Sequence, residues 1–86
     1  MEELKSKIER ILRAAFPERQ SLVDIQDDDG IIGMLVSPRF EGREAIDRQN
    51  MIWDVLDRSL EPDEKRQIQI IVTATPEEHV GHAAAP

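Results

Sequence analysis

The side chains with the richest chemistry in this sequence are His79 and His82, its only two histidines, three residues apart near the C-terminus. Two imidazoles hold a metal firmly only with help from further ligands, and no second pair lies nearby in sequence. Cysteine is absent, which removes disulfides, zinc–thiolate sites, thiolate-held clusters and cysteine nucleophiles from consideration. Asp27-Asp28-Asp29-Gly30 has the look of a calcium loop. Aligning Gly30 with the invariant glycine of such a loop puts Ile25 at the first ligand position and Val36 at the bidentate-glutamate position, so the stretch reads as a turn. Ser21, Ser37 and Ser59 lack the setting of an activated nucleophile, and no carboxylate pair stands out from the surface charge. No catalytic residue and no metal site are expected, and the chain reads as a non-enzyme.

Arg39, Arg43 and Arg48 cluster along the sequence and are the candidates for contacting nucleic-acid phosphates. Glu41, Glu44 and Asp47 alternate with them, so the segment is neutral as a whole. The chain has 18 acidic residues against 11 basic ones and a net charge of −7, a field that repels polyanions. Aromatic residues make up 3%, too few for a base-stacking platform. Trp53, on an apolar helical stripe, and Phe40, at a bend, are expected in the core.

These residues have to be positioned by a small set of elements. Leu4, Ile8, Ile11, Leu12 and Ala15 mark one face of a helix, supported by Glu3–Lys7 and Glu9–Arg13 pairs and stopped by Pro17. Ser21–Gln26 reads as a strand with Val23 and Ile25 inward, and Asp27–Gly30 turns it into a return strand over Ile31–Ser37. Phe40-Glu41-Gly42 bends the chain into a helix from Arg43 to about Leu60, with Ile46, Trp53, Leu56 and Leu60 on its apolar stripe. Glu61-Pro62-Asp63 interrupts. A third strand follows over Gln67–Ala74, with Ile68, Ile70, Val72 and Ala74 expected on one face. Thr75-Pro76-Glu77-Glu78 is a capping-box start for a terminal helical turn.

The fold class is therefore α+β: a two-layer sandwich in the order α-β-β-α-β(-α), with helices on one face of a three-stranded sheet. A third strand beside the second would be parallel to it, making the sheet mixed. The 86 residues suit one domain over 1–79 with a flexible tail over 80–86. The apolar runs are too short for a membrane span, and Met1 leads into charged residues rather than a secretory signal, so a cytoplasmic, non-membrane protein is expected.

Three stretches, in order, resemble the BolA family. Phe40-Glu41-Gly42-Arg43 after a hairpin ending in Val36-Ser37 is similar to that family's F-x-G-[K/R] turn. Arg48-Gln49-Asn50-Met51-Ile52-Trp53-Asp54-Val55-Leu56 is similar to its R-H-R-x-V-Y-x-x-L helix, and Thr73–Glu78 to its strand ending in T-P-E-E. The resemblance implies a fold akin to the type II KH domain. It also implies pairing with a monothiol glutaredoxin in iron–sulfur or redox homeostasis, or nucleic-acid binding as a transcription regulator.

On this resemblance the partner-binding residues are Phe40, Gly42, Arg43, Arg48 and Gln49 with Thr75, Pro76 and Glu77, while Arg39, Arg43 and Arg48 serve the nucleic-acid alternative. A diverged member with a changed protein partner is the third reading. No cofactor is expected on the chain alone. The family shares a 2Fe-2S cluster with its partner through a helix histidine, but Gln49 stands at that position, and a neutral amide is a poor iron ligand. The second family ligand, a His or Cys between the first two strands, has no counterpart in Asp27–Gly30. Gln49 is either a polar contact within a partner groove or a half-buried amide bonded locally.

Overall fold

The computed structural model describes residues 3–84, with side chains described through residue 80. Helix α1 (Leu4–Ala15) buries Ile8, Ile11 and Leu12, the face the apolar spacing predicts. Arg13 pairs with Glu9 at 3.5 Å. Lys7 instead reaches forward in the fold, placing Nζ 3.0 and 2.9 Å from the two carboxylate oxygens of Glu64.

Strands β1 (Leu22–Asp27) and β2 (Ile31–Val36) form the expected antiparallel hairpin, with Ile25 opposite Gly33. A short 3-10 turn (Pro38–Phe40) leads to α2 (Ala45–Ser59), and a five-residue helix, α3 (Pro62–Arg66), precedes β3 (Ile68–Ala74). The expected interruption at Glu61-Pro62-Asp63 is thus the start of a helix: Pro62 opens it, and the Glu64 carboxylate accepts from the Glu61 amide at 2.8 Å. The sheet order is β1-β2-β3, with β3 parallel to β2 and α2 as the crossover. The sheet is mixed, as expected.

The core lies between the sheet and α1 and α2. Ile8, Leu12, Ile52 and Leu56 pack over Ile25, Ile31, Leu35, Ile68 and Ile71. Gly33 lies on this face, where a Cβ would come within 2.7 Å of Ile25 Cδ1, so hydrogen is the only side chain that fits without repacking. Phe16 and Phe40 close one end with ring centroids 5.6 Å apart.

Three expected core positions face outward, two of them in β3. Ile70 is 53% and Val72 49% exposed, because a register shift between Ile31 and Ile32 against Ile68 and Ile70 leaves Gln69 as an extra residue in β3. The slip reverses the side-chain phase, so Ile68 and Ile71 face the helices while Ile70 and Val72 point away. Ile46 is 67% exposed, since the buried stripe of α2 runs through Ile52 and Leu56. Trp53 packs half-buried at the margin of the core rather than within it.

Helix α4 (Pro76–Ala84) is longer than the single turn expected. Residues 80–84 of the tail expected over 80–86 are the end of α4; residues 85–86 and the side chains of 81–84, including that of His82, lie outside the described residues. No described helix is long and apolar enough to cross a membrane.

Candidate partner-binding site at the bend and the last helix

The bend is built by local hydrogen bonds. Ser37, fully buried, uses its hydroxyl oxygen to accept from the Arg39 amide at 3.1 Å, which starts the 3-10 turn. Its own amide donates to Ala74 O at 3.0 Å, tying the bend to the end of β3. The Arg43 amide then donates to Phe40 O at 3.0 Å. Gly42 holds a φ of +74°, with nothing within 4 Å of where a Cβ would stand. Gly42 and Arg43 are both exposed at this projecting corner. Phe40 is a core residue, as its place at the bend predicts: it is 0% exposed, so its ring supports the corner from beneath, and the partner contact that the resemblance implies for it is not on the surface.

Arg48 joins the corner to the last helix. Its Nε donates to Arg43 O at 2.9 Å, and its two terminal nitrogens lie 2.7 and 3.3 Å from the Glu78 carboxylate oxygens. The guanidinium also sits 5.9 Å from the Phe40 ring centroid. At the other end, Glu78 accepts from the Thr75 amide at 2.8 Å while Thr75 Oγ1 accepts from the Glu78 amide at 3.1 Å. This is the capping box read from the sequence. The hydrogen bonds from Arg48, and then from the Thr75 backbone, hold the Glu78 carboxyl down to about 2. Thr75 is buried, Pro76 half-buried and Glu77 exposed.

Of the expected residues, Arg43, Arg48 and Thr75 are joined through Arg43 O and the Glu78 carboxylate, while Phe40 and Thr75 are buried. Glu78 is the bridging residue that sequence reasoning missed. Its capping role was legible, but its second bond crosses from α4 to α2 and has no local signature.

Gln49 is half-buried, and its Nε2 donates to Ile71 O at 2.8 Å. Ala74 O faces β2, where it accepts from Ser37, so with alternating carbonyls Ile71 O faces the outer edge of the sheet. Of the two roles open to Gln49, the amide performs the local one. The donor set does not fit a cluster ligand: Gln49 presents an amide engaged with the backbone, and Asp27–Gly30 presents neither imidazole nor thiolate. Among the described residues, no group of three His, Asp or Glu is placed to hold a metal ion.

His79 lies half-buried in an open depression of about 420 Å³ that it lines with Met34, Arg48, Val72, Thr73, Ala74 and Glu78. The arginines do not form a bare basic patch. Arg39 pairs with Glu18 at 2.7 Å and lies 5.8 Å from the Phe16 ring, and Arg48 is committed to Glu78. Arg43 is exposed, as is Arg39 despite its ion pair.

No protein-family model and no curated protein matches the chain. Solved structures do match, and across nearly the whole length. A Bol-like protein from Babesia bovis superposes with a TM-score of 0.68 at 24% identity, covering 92% of each chain. BolA1 from Arabidopsis thaliana gives 0.64 at 20% identity, covering 91% of this chain and 98% of that one. The chain has the BolA fold. The BolA domain of SufE1 from Arabidopsis thaliana is also similar, with a TM-score of 0.63 at 20% identity over 91% of this chain and 98% of that one. In this version of the BolA fold the bend, the start of α2 and the start of α4 converge on one corner.

Proposed function

We propose that the chain is a non-enzymatic BolA-like adaptor, working in the cytoplasm, whose corner binds a monothiol glutaredoxin-type protein in iron–sulfur or redox homeostasis. The observation that carries this reading is the Arg48–Glu78 bridge beside the open Gly42–Arg43 bend. It ties residues from two distant segments into one surface, and a preassembled surface loses little entropy on docking. The pairing of Arg39 and Arg48 with carboxylates weakens the nucleic-acid alternative, since neutralised guanidiniums release few counterions.

Gln49 favours a second reading, a changed protein partner reached through the same corner. With its amide bonded to Ile71, the chain supplies no cluster ligand there, so a shared 2Fe-2S cluster would depend on the partner's own groups.

A titration of the labelled protein with apo and cluster-loaded monothiol glutaredoxin, followed by NMR, tests both. Amide shifts concentrated in residues 40–50 and 75–78 support the adaptor reading. Silence at millimolar partner retires it for that partner class and leaves the changed-partner reading. Arg43→Glu is the cleaner surface probe, because Arg48→Glu would also set a carboxylate against Glu78 and release α4.

A further inference from the structure

The face of the sheet turned away from α1 and α2 is apolar and open. Its β2 and β3 positions are Ile32, Met34, Ile70 and Val72, with Leu22 at the β1 margin. Ile32 is 42% and Ile70 53% exposed. The extra residue at Gln69 is what turns Ile70 and Val72 this way. Beside α4 the same face deepens into the depression floored by Met34, Val72 and Ala74.

The charge around this face is mostly acidic. The three strands, their hairpin turn and α4 contain Asp24, Asp27, Asp28, Asp29, Glu77 and Glu78, and neither lysine nor arginine. All 11 basic residues of the chain lie in α1, α2, α3 and the segments joining them to the strands. Most of the net charge of −7 therefore belongs to the sheet and last helix, although Arg48 reaches over to balance Glu78.

We infer that this face docks a cationic amphipathic helix of a partner protein, a surface that meets the Gly42–Arg43 corner at the depression, where Arg48 and Glu78 belong to both. Three strands spaced by roughly 4.8 Å present a face about 10 Å wide, the width of one helix. Leucine-like side chains would cover Ile32, Ile70 and Val72, one of them entering the depression, while lysines or arginines at the margins meet Asp24 and the Asp27–Asp29 turn. A second copy of this chain would bring like charges together, and an anionic lipid surface or a nucleic acid would be repelled in the same way.

The test is an NMR titration with a leucine–lysine amphipathic helical peptide, beside a leucine–glutamate peptide of the same pattern. The lysine peptide is expected to shift amides in 22–26, 32–34 and 70–74, more weakly as salt rises, and the glutamate peptide to shift none. The double substitution Ile70→Thr and Val72→Thr is expected to weaken binding about tenfold while leaving the thermal melt close to that of the parent. Equal response to both peptides, shifts confined to α1 and α2, or silence at millimolar peptide would overturn the proposal. Dimerisation in sedimentation that the double substitution abolishes would overturn it too, in favour of a second copy.

Discussion

Arg48 and Glu78, 30 residues apart in sequence, are joined through both guanidinium terminal nitrogens, and the same Glu78 carboxylate caps the helix it belongs to. One carboxylate therefore fixes the start of α4 and its place against α2. Arg48 is only 13% exposed, whereas Glu78 is 53% exposed, so the arginine is the seated partner and the glutamate closes over it.

That bridge makes α4 sensitive to acid. The Glu78 carboxyl titrates at about 2 in the fold against an ordinary 4.5, so the stability it contributes is present above 4.5 and drains as pH falls toward 2. Amide hydrogen exchange in α4 should accelerate across that window. Glu78→Gln should raise exchange at neutral pH and flatten the acid response; an unchanged acid profile would show that the bridge does not hold the helix.

Phe40 underlies the corner without appearing on it. Its ring is fully buried against Phe16 and beneath Arg48, so Phe40→Ala should cost about 3–5 kcal/mol in a denaturant titration. Trp53→Ala should cost less, because Trp53 is only half-buried at the core margin.

Gln49→Ala should leave Ile71 O without its donor at the sheet edge and cost about 1 kcal/mol. Gln49→His should not by itself bring a ligand pair, since Asp27–Gly30 still offers no second imidazole or thiolate. The visible absorption of a cluster-loaded glutaredoxin mixed with the Gln49→His variant reads this directly, and a new absorption band absent from the parent mixture would contradict it.

The two long helices, the hairpin and the third strand were legible because each has a local signal: apolar spacing in α1, Asp-Gly in the turn, β-branched residues in β3. The parallel pairing followed from the helical crossover once β3 was set beside β2. The phase of β3 was not. Ile70-Ile71-Val72 is apolar at both parities, and only pairing with β2 reveals that Gln69 is an extra residue. Helix α3 carries Pro62 and a Glu64 that caps Glu61, but its N-cap residue is a glutamate rather than the usual serine or threonine, so the signal was weak. At the candidate site the motif residues were visible, yet their partners were not. Nothing local to Arg48 points to Glu78, and nothing local to Gln49 points to Ile71.

Two glycines should respond to alanine for different reasons. Gly33→Ala forces Ile25 to move within the core, at about 1–3 kcal/mol. Gly42→Ala has open space but a φ of +74°, so the cost is backbone strain of about 1–2 kcal/mol. Gly42→Asn should recover part of that loss and Gly33→Asn none of it, a contrast that paired thermal melts would resolve.

The parallel placement of β3 beside β2 also sets an order of assembly. The hairpin can close from neighbouring residues, but its second strand has an unfilled edge until the chain has passed through α2 and α3 and returned with Ile68–Ala74. Contacts so distant in sequence form late. A nascent or truncated chain ending before residue 68 would leave the β2 edge from Ile31 to Val36 unpaired, a template for strand addition by any neighbour. The last strand therefore acts as the chain's own cover, and the interval before it arrives is when this small protein is most open to aggregation.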